Sequence, residues 1–190
     1  VIAGPALSRV ARVAIGAGSL ILALALGGCA SQPLPTYQIS IANQMTLASL
    51  AQKAKYSVLQ GGDPHDVDAS VRGRRITSPS NGSWSVYFDD AIRTELVSSQ
   101  NFDAASPQSI QATLVKVLLA DGRARLSARF IVRRGDVVEY DKVLLVKRKW
   151  DSSILGAIAI PNGFSQSAAL FQQLLHRFFK DPDFVMLSQR

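Results

Sequence analysis

Cys29 is the only thiol in the 190-residue chain. Alone it closes no disulfide within the chain and supplies no cysteine pair to zinc, so its chemistry is that of a single soft nucleophile. Two histidines are the only imidazoles. His65 falls in Asp63-Pro64-His65-Asp66-Val67-Asp68, where three carboxylates and a ring nitrogen crowd six residues. Such donors suit a loosely held metal. The segment lacks the spaced oxygens, glycine turn and distal glutamate of a calcium loop and reads as a solvated turn. His176, between Leu175 and Arg177, has no second ligand at helical spacing and reads as a structural or surface histidine. No metal and no cofactor is expected.

Other catalytic patterns are missing. The chain has no Gly-x-Ser-x-Gly elbow, and Asn81-Gly82-Ser83-Trp84 reads as a helix cap. It has neither a phosphate-cradling Gly-x-x-x-x-Gly-Lys-Ser/Thr nor a Gly-x-Gly-x-x-Gly. Asp89 and Asp90 are adjacent on a helical stretch and do not face each other. Arg134-Gly135-Asp136 is a turn between strands. The expectation is a protein that acts by binding and is no enzyme.

The position of Cys29 explains its solitude. Arg9 and Arg12 form a short basic stretch, and Val13 to Leu26 follow with no charge. That run is shorter than the roughly 20 apolar residues of a membrane span and fits the apolar region of an export leader. Leu26-Gly27-Gly28-Cys29 resembles a lipobox, the processing site of bacterial lipoproteins. The resemblance implies a diacylglyceryl group on the Cys29 sulfur, cleavage by signal peptidase II after Gly28 and acylation of the new amine. Residues 1–28 are then a signal peptide. Ala30 and Ser31 follow with no aspartate at the second position, which by the same resemblance implies the periplasmic face of the outer membrane. Two or more acyl chains anchor a protein stably, where one does so only marginally.

Of the 21 Lys and Arg, two precede Cys29; those that remain exceed the 14 Asp and Glu. This basic balance suits anionic lipid, lipopolysaccharide or an acidic envelope protein. An exported domain rarely meets nucleic acid, and none is expected. Much of the charge falls on one strand. Ala124, Leu126, Ala128, Phe130 and Val132 alternate with Arg123, Arg125, Ser127, Arg129 and Arg133, so one sheet face is core and the other basic. Lys147 and Lys149 extend that face. It is either a solvated sheet face or a surface for phosphates or an acidic partner, to which arginine is well suited.

The elements that must carry these residues follow from pattern. Ser31 to Thr36, with two prolines, reads as a tether from the lipid, so 29–36 is set apart from a single domain over 37–190. Tyr37 to Ile41 alternates like a strand, and Thr46 to Leu59 reads as a helix. Asp68 to Ile76 suggests a strand. Ser83 caps a helix whose Trp84, Tyr87, Phe88, Ala91, Ile92 and Leu96 share a face. Ile110–Leu119, Arg123–Arg133 and Val137–Trp150 form a three-strand meander turned at Asp121-Gly122 and Gly135-Asp136. Ser152 to Gly163 reads as an apolar loop broken by Pro161. A last helix covers Ser165 to Phe179 and ends at Asp181-Pro182-Asp183. The stretch Ile154 to Ile160 of the apolar loop is either core beneath that helix or an exposed docking patch.

This order predicts an α+β two-layer sandwich, an antiparallel sheet with helices on one face. Over roughly 68–185 it resembles small periplasmic lipoproteins of the ABC-transport auxiliary and lipopolysaccharide-assembly kinds. The resemblance implies a lipid-anchored adaptor or auxiliary component, with direct binding of anionic lipid or lipopolysaccharide as the alternative and an envelope hydrolase behind both.

Overall fold

The computed structural model describes residues 31–50 and 54–189. The leader and the motif Leu26, Gly27, Gly28 and Cys29 lie outside the described residues. In chain order the elements are β1 (Gln32–Pro33), α1 (Ile41–Ala48), β2 (Ser57–Leu59), β3 (Asp66–Val71), β4 (Arg74–Thr77), α2 (Trp84–Ser98), β5 (Gln108–Ala120), β6 (Arg123–Arg134), β7 (Val137–Lys149), α3 (Gly156–Phe179) and α4 (Pro182–Ser188).

The alternation of residues 123–134 sets the architecture. Ala124, Leu126, Ala128, Phe130 and Val132 are buried, and β6 pairs antiparallel with β5 on one side and β7 on the other. The path across the sheet is β1-β4-β3-β5-β6-β7, with β2 and β3 both parallel to β5 at its two ends. Helices α2 and α3 cover the inner face, which makes the chain the expected α+β two-layer sandwich. Phe130 stacks on Phe178 with centroids 4.3 Å apart and meets Phe88 edge-on at 5.8 Å, so one strand residue clamps both helices. The core cluster draws on residues from Leu34 to Leu187 and is self-contained within the described unit.

Helix α2 forms as its sequence predicts. Ser83 Oγ accepts from the Val86 N–H at 3.2 Å, and all six residues of the expected face are buried. The meander is also as expected. Ser127, expected on the wet face, is instead buried, because the register sets this short side chain between Lys116 and Leu145.

Other expectations are corrected. Tyr37 to Ser40 is no strand; side chains bind it to α2 instead of a sheet, and Ile41 begins α1. The helix expected over Thr46–Leu59 lies earlier, and Ser57–Leu59 is a strand paired with Ser109–Gln111. The strand expected over Asp68–Ile76 is a hairpin, with Arg72 and Gly73 both at positive φ in its turn. The stretch expected as a tether contributes β1 and the buried Leu34, whose N–H donates to Thr77 O at 2.9 Å. Finally, the loop expected over Ser152–Gly163 is largely helix. Pro161 sits inside α3, and its missing N–H leaves only the Ala157 carbonyl without its helical donor. Both residues are exposed.

Candidate functional site

The basic strand face is divided by its pairings. Arg129 grips Asp141 bidentately, Nε to Oδ1 at 2.7 Å and Nη2 to Oδ2 at 2.5 Å. Arg133 donates from Nη1 to Gln111 Oε1 at 2.9 Å and is half-buried. Lys116, on the neighbouring strand, pairs with Asp66 at 2.5 Å. Arg123 and Arg125 differ. In the register they stand opposite Lys149 and Lys147, and none of the four has an ion-pair partner among the described residues. Like charges set directly across a sheet repel. The expected four-arginine face therefore resolves into two committed arginines and a free quartet, Arg123, Arg125, Lys147 and Lys149, at one end.

The acidic segment around His65 is accounted for by structure. Asp63 Oδ1 accepts from the Ser85 N–H at 2.8 Å and from Ser83 Oγ at 3.2 Å, capping α2 from a distance. Those donors hold the Asp63 carboxyl below its ordinary range. Asp66 is the partner of Lys116. Among the described residues no group of three or more His, Cys, Asp or Glu is placed to hold a metal. His176 lies half-buried in α3.

One arrangement was not anticipated. Glu95 is fully buried, and its Oε1 accepts from Tyr37 OH at 2.6 Å, Ser40 N at 2.9 Å and Asn43 Nδ2 at 2.9 Å. Gln44 Nε2 donates to its Oε2 as well. The four donors come from residues 37–44, and the acceptor from the last turn of α2. Burial, with the Glu95 carboxylate second, pushes the Tyr37 hydroxyl well above its ordinary range. The signal was present in the sequence, since Glu95 stands eleven residues after Trp84 and so within the apolar stripe of α2.

Beside this network runs a groove of about 450 Å³. Tyr37, Tyr87, Phe164 and Ala168 form much of its wall, with Gln38 and Gln172 among its polar members. Apolar walls with a few polar groups are the usual make-up of a ligand or side-chain pocket. Tyr87 OH donates to Pro35 O at 3.3 Å, and Gln172 Nε2 donates to Gln38 O at 2.9 Å, so the entering segment is pinned along the groove.

The stretch Ile154 to Ile160 is an exposed patch at its start and core at its end. Ile154, Leu155 and Ile158 are 93%, 65% and 57% exposed, while Ala159 is buried. Among the described residues no helix is long and apolar enough to cross a membrane.

No family model and no curated protein matches the chain. Among solved structures, a Xanthomonas campestris protein of family DUF330 has a TM-score of 0.51 at 11% identity, covering 79% of this chain and 95% of that one. A Caulobacter crescentus protein proposed to be a lipoprotein has 0.43 at 12% identity, covering 77% and 95%. A Chlamydia trachomatis protein has 0.38 at 12% identity, covering 65% and 98%. The last two scores are too low to extend the comparison. The likeness to the Xanthomonas protein is one of fold: the chain shares its α+β architecture.

Proposed function

We propose that this protein is an envelope lipoprotein, anchored through fatty chains on Cys29, that works by binding rather than by chemistry: an adaptor or auxiliary component, for instance of a transport system. The observation that carries the reading is the placement of the sole cysteine, directly after Leu26-Gly27-Gly28 at the end of a charged-then-apolar leader. Anchoring confines a binding protein to the membrane plane and raises its effective concentration toward partners there. In enteric sorting, the residues after Cys29 direct it to the periplasmic face of the outer membrane. The groove beside Tyr37 and Tyr87 suits an apolar side chain of an envelope protein partner. The unpaired quartet of cations favours a second reading, recognition of anionic lipid or lipopolysaccharide.

Fractionation and crosslinking test both halves. The native protein should stay with membranes through a high-salt wash. The same domain exported on an ordinary cleavable leader, without Cys29, should wash free. A discrete crosslinked adduct should form on intact cells, vanish with Ala168→Trp, which fills the groove, and survive Arg129→Gln. A native protein that washes free removes the anchor. An adduct unmoved by Ala168→Trp removes the groove as the partner site.

A further inference from the structure

Three segments meet at one end of the domain. Arg72, in the β3–β4 turn, pairs through Nε with Asp121 Oδ2 at 2.7 Å and donates through Nη2 to Ser153 O at 2.7 Å. Asp121 opens the β5–β6 turn, and the Trp150 N–H donates to Gly122 O at 3.0 Å. Ser152 Oγ donates to Asp121 Oδ1. These contacts hold the start of α3 against both turns. From this end project the bare Ile154, Leu155 and Ile158.

Cations lie at the same end of the sheet. Arg123 and Lys149 are the terminal pair of the β6–β7 ladder, and Arg125 and Lys147 lie two residues further in. Arg74 and Arg75, both exposed, follow the β3–β4 turn. Asp121 is engaged by Arg72, Asp151 follows Lys149 by two residues, and the exposed Asp68 stands in the same cross-sheet row as Leu118, Arg125 and Lys147. The first turn of α3 has no acidic residue and no side-chain cap, so its N–H groups favour an anion.

We propose that this end docks on the headgroup surface of an anionic phospholipid bilayer. The six cations meet lipid phosphates, and Ile154, Leu155 and Ile158 enter the boundary between headgroups and acyl chains. Apolar tips within a basic ring are the make-up of interfacial binding. The direction of β1 agrees. It is parallel to β4 with Gln32 opposite Ile76 and Pro33 opposite Thr77, so Gln32 is its residue nearer Arg75 and this same end. The three residues from Cys29 to Gln32 span at most about 11 Å. That last point rests on the lipid-anchor reading; the docking surface itself does not.

Vesicle flotation of the domain 31–190, which holds its own core and lacks Cys29, tests the surface alone. Vesicles of phosphatidylcholine with about one-third phosphatidylglycerol should bind it at least about tenfold more tightly than phosphatidylcholine alone, less so as salt rises. The exposed pair Ile154→Asp and Ile158→Asp should cost about tenfold or more at every salt concentration. Arg125→Glu with Lys147→Glu should cost a similar factor and flatten the salt dependence. Arg129→Gln, at a committed arginine, should change nothing. Circular dichroism checks that each variant is folded. Absence of binding, equal binding to neutral vesicles, or binding unmoved by both pairs overturns the proposal. None of these results bears on the state of Cys29, so the two readings fail separately.

Discussion

At the scale of single residues, two buried carboxylates on α2 show how much of this fold depends on local environment. Glu95 accepts from four donors, with no ion pair among the described residues, which offsets much of the cost of burying a carboxyl group. Asp89 is less well served. Its Oδ2 accepts the Gly61 N–H at 3.0 Å, while its buried Oδ1 has no hydrogen-bond partner among the described residues. Burial, partly offset by that N–H, pushes its carboxyl up to about 6. Because the folded value lies above the unfolded one, the folded state holds the proton more tightly. This contribution is fully present below about pH 4 and is lost as pH rises through 6. Asp89→Asn keeps an acceptor for Gly61 and removes the buried charge. It should stabilise the domain by about 1–2 kcal/mol at pH 7 and by little near pH 4, read as the difference in urea midpoint from the wild type. A variant less stable at pH 7, or one whose difference ignores pH, contradicts this. The place of Glu95 in the apolar stripe of α2 is legible in sequence, but the partners of neither carboxylate are, because they lie in distant segments: Gly61 for Asp89, and residues 37–44 for Glu95.

At the scale of elements, legibility followed periodicity. The β5–β6–β7 meander and α2 are readable because each repeats its own period against one large core, with the turn residue Gly122 at positive φ where the hairpin needs it. Three elements were not. Tyr37 to Ser40 alternates, yet its polar groups go to Glu95 and Gln172, a choice no local pattern reports. Strand β2 is three residues long and exists by pairing with β5. The start of α3 was obscured by Pro161 and by an apolar run that is buried only at its end. That helix is held close to the sheet at Gly163, where an added Cβ would stand 2.9 Å from Val71 Cγ2 and 3.0 Å from Cγ1. Val71 is fully buried and β-branched, so it yields little. Gly163→Ala should therefore lose about 1–2 kcal/mol despite alanine's better helix propensity, and Val71→Ala in the same chain should recover part of it. Urea unfolding of the two single variants and the double variant measures this. A more stable Gly163→Ala would mean that α3 sits further from β3.

At the scale of the whole molecule, the surface is unevenly used. One sheet face is buried under α2 and α3. Arg129 and Arg133 on the other face are held by Asp141 and Gln111, and the unspent cations gather at the end where bare isoleucines project. The two-layer class was readable from element order, while this end was not: it joins residues 72, 121 and 153, separated in sequence and brought together by β3, β5 and α3. Within β1, Gln32 is the residue nearer that end. A covalent anchor there would make lipid and docking surface act as two attachments to one bilayer, each too weak or too mobile alone to fix an orientation.

That picture stands on the chemistry of one sulfur. Mass spectrometry of the protein purified from its own envelope measures it directly. The account requires an N-terminal peptide that begins at Cys29 and carries a diacylglyceryl thioether. A mature chain that begins elsewhere, with the Cys29 thiol unmodified or absent, contradicts it.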